Sequence, residues 1–147
     1  MKHIRIALPI VLLVLLAACA PRASTPSPAA PEIVYGGPVA EVYPIVVRAI
    51  STSPGLPDSN GWIITQSDAV GGFVAAETSV AVRNLLGTEI DTHRESISVV
   101  VSGNPNNQTA VVTQFTSGAG VLAGLIHEQL TATFGEPIQG GTLTPTN

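Results

Sequence analysis

The sequence predicts an α+β fold: a four-stranded antiparallel sheet with an N-terminal and a C-terminal helix packed on one face. Three observations carry this reading. An apolar stripe at helical spacing opens the body of the chain, a second stripe closes it, and runs of alternating polarity lie between them.

The first stripe is Val39, Val42, Ile45, Val46, Ala49 and Ile50. Pro38 suits a first helical turn, whereas Pro44 is expected to kink the helix, and Pro54-Gly55 ends it. Gly61 to Gln66 and Gly72 to Arg83 read as two strands joined by the glycine-bearing loop Ser67 to Gly71. In the second of these, Val74, Ala76, Val80 and Val82 share one face, while Glu77, Ser79 and Arg83 share the other. Ile97, Val99 and Val101 alternate with serines in the same manner, and the turn Gly103 to Asn107 leads into a fourth strand, Gln108 to Thr116. Ser117 is placed to cap the closing helix, whose stripe is Leu122, Ile126, Leu130 and Phe134. Gly135 and Pro137 stop it.

The N-terminus carries a different message. A basic start (Lys2, His3, Arg5) precedes an apolar run, Ile6 to Leu16, that is too short to span a bilayer and ends in small residues. The segment Leu16-Ala17-Ala18-Cys19 resembles the lipobox of bacterial lipoproteins, and Cys19 is the sole cysteine of the chain. The resemblance implies cleavage between Ala18 and Cys19, diacylglycerol modification of the Cys19 thiol, and attachment to a membrane on its extracytoplasmic face. Ala20 in place of an aspartate implies sorting to an outer membrane where the organism has one, and otherwise residence in the cell membrane. Two or three acyl chains hold a protein far more firmly than one, at about 0.8 kcal/mol per buried methylene.

The organisation expected from these features is a signal peptide (1–18), a lipidated cysteine with a Pro/Ala/Ser-rich tether (19–34), one α+β domain (35–135) and a flexible tail (136–147). Pro21, Pro26, Pro28 and Pro31 favour extended geometry at roughly 3 Å per residue, which makes the tether a semi-rigid spacer.

Composition excludes several partners. The segment after the leader contains no lysine, and its four arginines against ten carboxylates give a net charge of −6. Such a surface is a poor match for nucleic acid, which requires clustered cations. With Cys19 acylated, no thiol remains for a disulfide or a thiolate metal site.

Four constellations invite chemistry. Gly118-Ala119-Gly120-Val121-Leu122-Ala123 fits the dinucleotide pattern G-x-G-x-x-A, yet no second parallel strand with an acidic ribose ligand follows it. Glu89, Asp91, His93 and Glu95 fall at alternate positions, where an extended backbone would gather them for Zn²⁺, Mn²⁺ or Ca²⁺. Their parity continues into the core positions Ile97, Val99 and Val101, so the expected state is a solvated loop before the strand, and no metal or other cofactor is expected. His127, beside Glu128, is expected on the wet side of the last helix. Trp62 could be a binding platform but more often such a residue packs at the core rim.

Nucleophilic catalysis needs a base poised beside a nucleophile and a third group to orient it. No such set can be assembled from these residues. The expectation is therefore a membrane-anchored envelope lipoprotein acting as a non-catalytic interaction or assembly module, with an envelope protein as partner. The alternative is a small extracytoplasmic domain that binds a ligand or metal.

Overall fold

The computed structural model describes residues 30–141, 143 and 145. The fold is α+β: a five-stranded antiparallel sheet and two helices. In chain order these are β1 (Glu32–Tyr35), α1 (Val39–Thr52), β2 (Ile63–Asp68), β3 (Phe73–Arg83), β4 (Glu89–Gly103), β5 (Thr109–Phe115) and α2 (Gly120–Phe134). The strands lie in the order β1-β5-β4-β3-β2. Helix α1 thus carries the chain from one edge of the sheet to the other. The meander β2 to β5 then walks it back beside β1, with each turn short enough for antiparallel neighbours.

The sequence reading of four strands is corrected to five. Glu32–Tyr35, partly inside the expected tether, pairs with β5 from Glu32↔Val112 to Tyr35↔Thr109. It escapes a period-two search because Ile33, Val34 and Tyr35 are all buried. One face packs on the core, and the outer edge is bonded by the chain that follows α2: Val34 N–H donates to the Gln139 carbonyl (2.6 Å), and Ile138 N–H to the Val34 carbonyl (2.8 Å). The helix expected at the N-terminus is consequently the second element, not the first.

The core lies between one sheet face and the two helices. Val42, Val46, Ala49 and Ile50 of α1 and Leu122, Ala123, Ile126 and Leu130 of α2 close over Val74, Ile97, Val99 and Val111. Each fully buried aliphatic side chain stabilises the fold by roughly 1.5–3 kcal/mol in transfer terms. Helix α1 continues through Pro44 because that residue and Ala40 are both exposed. The Ala40 carbonyl loses the Pro44 N–H, and the exposure of both residues leaves water to take its place.

Ser117 does not cap the last helix. Ser117–Ala119 form a 3₁₀ turn that leads into α2, and no side chain of the adjoining residues bonds the helix start. The donor left at Gly118 is served instead by a distant residue, described below.

Candidate functional site

Among the described residues, no helix or strand covers the face of the sheet opposite the helices. Cross-strand neighbours Gln114, Ser98 and Ala75 form one row, and Ser96 and Glu77 form the next. These residues, with Thr116, line a shallow concavity of about 380 Å³. Arg94 reaches Glu77 across this face at 3.4 Å. Beyond it lies β2, whose outer edge pairs with no strand among the described residues and whose Ile63 is 62% exposed. An unpaired edge presents backbone donors and acceptors to another chain.

Ala18, Cys19 and the first part of the tether lie outside the described residues. The other residues singled out in sequence are placed, and the structure separates them. Glu89 to Glu95 is strand, not loop: β4 begins at Glu89, and pairs run from Arg83↔Glu89 to Thr78↔Glu95. A register shift opposite Val82 and Arg83 interrupts the alternation. Glu89 consequently takes a hydrogen bond from the Thr92 hydroxyl (3.2 Å), away from Asp91. His93 Nε2 lies 3.4 Å from Glu95 Oε1, and Asp91 turns to the backbone N–H of Thr92 (2.8 Å). Among the described residues, no three groups of the His, Cys, Asp and Glu type converge where a metal could sit.

Glu95 has a different task. Its side chain is nearly buried, and its Oε2 accepts hydrogen bonds from the Thr116 hydroxyl and from the Gly118 backbone N–H (3.0 Å). A carboxylate from mid-sheet therefore neutralises the positive end of the turn that starts α2. A side chain at Gly118 would meet Glu95 Cδ at 2.5 Å. The first glycine of the dinucleotide-like pattern thus admits this carboxylate, and a phosphate would find the Gly118 N–H already engaged. Opposite Glu95, the hydroxyl of Thr78 is buried with no hydrogen-bond partner among the described residues.

His127 is not on the wet side. It is 8% exposed, inserted between α2 and the sheet. Its Nδ1 lies 3.0 Å from the Tyr35 hydroxyl and its Nε2 3.0 Å from the Thr113 hydroxyl. The Tyr35 and His127 rings stack with centroids 6.0 Å apart. Burial lowers the His127 pKa to about 4, so at neutral pH the imidazole is uncharged, one nitrogen donating and the other accepting. Burial also raises Tyr35 above the ordinary phenol value, and the Glu136 charge adds to the rise. Both hydroxyls and both ring nitrogens are engaged with one another. The signal for this was present in the sequence: Ala119, Ala123 and His127 step by four beside the Leu122/Ile126/Leu130 stripe. Trp62 is half-buried and packs against the core.

No family model matches the chain, and no curated protein does. Among solved structures it is similar to the crystal structure of TTHA0849 from Thermus thermophilus. That match has 14% sequence identity and a TM-score of 0.27, covering 71% of this chain and 88% of that one. So loose an overlap carries no function across.

Proposed function

We propose that this chain is a lipid-anchored protein of the bacterial envelope whose domain is a non-catalytic interaction module. The observation that supports the module most is the one-sided sheet. Both helices cover one face, while among the described residues the other face and the β2 edge are left open to a partner chain. A strand added at such an edge gains backbone hydrogen bonds, and side chains on the adjoining face supply selectivity. The lipobox-like Leu16-Ala17-Ala18-Cys19 supports the anchor.

The titratable groups add to this reading. Glu95 is committed to Thr116 and Gly118, and His127 to Tyr35 and Thr113, so both serve the fold. Site-specific photocrosslinking in cells tests the module. A crosslinking residue at Thr65 on the β2 edge or at Ser98 on the open face should yield a discrete adduct. One at Asn106, in the turn at the far end of β4, should not. Equal labelling at all three positions, or none at Thr65 and Ser98, would contradict the proposal.

A further inference from the structure

The hairpin that joins β3 to β4 outreaches every other part of the sheet. Residues 83–94 are all exposed, whereas β5 and the start of α2 end at the level of Ser96. At its tip Leu85 and Leu86 are fully exposed, and Ile90, at the register shift, is 64% exposed. Isolated apolar residues on a surface need no explanation, but here three stand on one protruding hairpin.

Several backbone groups of the tip are satisfied within it. Asn84 Oδ1 accepts the N–H groups of Leu86 (2.9 Å) and Thr88 (3.0 Å). Asn84 N–H donates to the Thr88 carbonyl and Gly87 N–H to the Asn84 carbonyl, both at 2.9 Å. Arg83 Nη1 donates to the Gly87 carbonyl (3.0 Å), and Gly87 adopts the positive φ of 79° that closes the turn. Each backbone group paired in this way lowers the cost of bringing the tip into an apolar phase.

Strand direction says which apolar phase. β1 pairs antiparallel to β5, and β5 antiparallel to β4, so β1 runs in the same direction as β4. Since β4 starts at the hairpin tip, residues 30 and 31 enter β1 from the tip side of the sheet. Glu32 registers with Val112, and Val112 with Val100. From Val100 back to Glu89, at about 3.3 Å per residue, β4 rises roughly 36 Å beyond the level of Glu32, and the turn that carries Leu85 and Leu86 lies beyond Glu89. The chain from Cys19 to Glu32, at about 3.1 Å per residue, reaches roughly 40 Å in extended form. Both lengths are counted from the level of Glu32, so a fully extended tether is long enough to bring Cys19 near the level of the tip.

We propose that Leu85, Leu86 and Ile90 form a second contact with the bilayer that holds the acylated Cys19. This rests on the lipoprotein reading above. Insertion of three aliphatic side chains is weak alone, but the anchor makes it an intramolecular event at high effective concentration. The flanking charges nearest the tip on β4 are Glu89 and Asp91, and Arg83 is paired with Asp58 at 3.1 Å. The contact is therefore apolar in kind and should show neither a preference for anionic lipid nor strong sensitivity to salt. It would fix the sheet upright on the membrane, with the open face and the β2 edge turned sideways toward neighbouring proteins.

The test uses the mature full chain, purified from native membranes and placed in phosphatidylethanolamine/phosphatidylglycerol vesicles. An acylated Cys19 leaves Leu86→Cys as the only free thiol, to be labelled with an environment-sensitive fluorophore. Acylation itself is read by intact mass. The expected result is blue-shifted emission that doxyl-labelled lipid quenches, unchanged in high salt and weakened by adding Leu85→Ser. The same label at Asn106→Cys, at the opposite end of the sheet, should stay water-like. An acylated chain whose label at position 86 stays water-like overturns the tip contact and leaves the anchor standing. If that label is water-like in vesicles but shielded in native membranes, the tip belongs to a protein partner and the proposal is wrong. A chain that is not acylated lacks the anchor on which the tip contact depends and overturns both readings.

Discussion

The hydroxyl of Tyr35 lies 3.0 Å from Nδ1 of His127, joining the first strand of the sheet to the last helix across nearly the whole domain. Thr113 closes the arrangement at Nε2. The three side chains make a polar island in an aliphatic core, stable while the imidazole stays neutral.

Acid should therefore weaken the fold through His127. The folded pKa of about 4 lies below the ordinary value of 6.5, so between these values the unfolded chain binds a proton that the folded chain does not. Stability is unaffected by this group above pH 6.5, falls as pH drops from 6.5 to 4, and levels off below. The total loss is roughly 3 kcal/mol. Urea unfolding of the native chain and of His127→Gln across this range measures it. The difference between them should change by that amount, and parallel curves would show that the imidazole does not resist protonation.

Glu95 and Gly118 should behave as one unit. Glu95→Ala removes a carboxylate that serves two donors, at a cost of about 1.5–3 kcal/mol per charged hydrogen bond at most. Gly118→Ala pushes a methyl group into that carboxylate and should be destabilising on its own. In the Glu95→Ala background the obstruction is gone, so Gly118→Ala should then be close to neutral. A double-mutant cycle on the urea midpoint reads this coupling. Strict additivity would mean that the two groups do not meet.

Thr78 is a position where the native residue is not the most stable one. Its buried hydroxyl has no partner among the described residues, and valine keeps the shape and suits a strand. Thr78→Val should raise stability by about 1 kcal/mol, which for a domain this size lifts the Tm by a few degrees. A lower Tm would indicate a bound water that the hydroxyl needs.

Ile126 is fully buried at the centre of α2. Ile126→Asp would place an unpaired charge against the sheet at a cost of several kcal/mol, comparable with the stability of a small domain. The variant should fail to accumulate in cells, while Ile126→Val should lose only about 1 kcal/mol. A protease-resistant Ile126→Asp domain would contradict the packing described.

The sequence made the class of the fold legible because its signals there are local. The apolar stripes of α1 and α2 and the alternation around Val74 and Val99 each depend on residues within a few positions of one another. What it concealed depends on distant partners. Glu32–Tyr35 is too short and too uniformly buried to show a period, and it is a strand only because β5 and the chain after α2 flank it. Glu89 to Glu95 carries the polarity of a loop and is held extended by β3. The four-residue step from Ala119 and Ala123 points His127 inward, but only the distant Tyr35 and Thr113, which no local pattern announces, make its burial tolerable. Likewise no local pattern announces that Glu95 serves the turn at Gly118, since 23 residues separate them.

The envelope reading stands or falls with lipid attachment at Cys19, which metabolic labelling with palmitate can decide. The native chain should incorporate label and fractionate with membranes, whereas Cys19→Ser should remain unlabelled and keep its leader uncleaved, visible as a larger species on a gel. A Cys19→Ser chain that is still labelled and matures normally, or a native chain that takes up no label, would show that Cys19 is not the anchor.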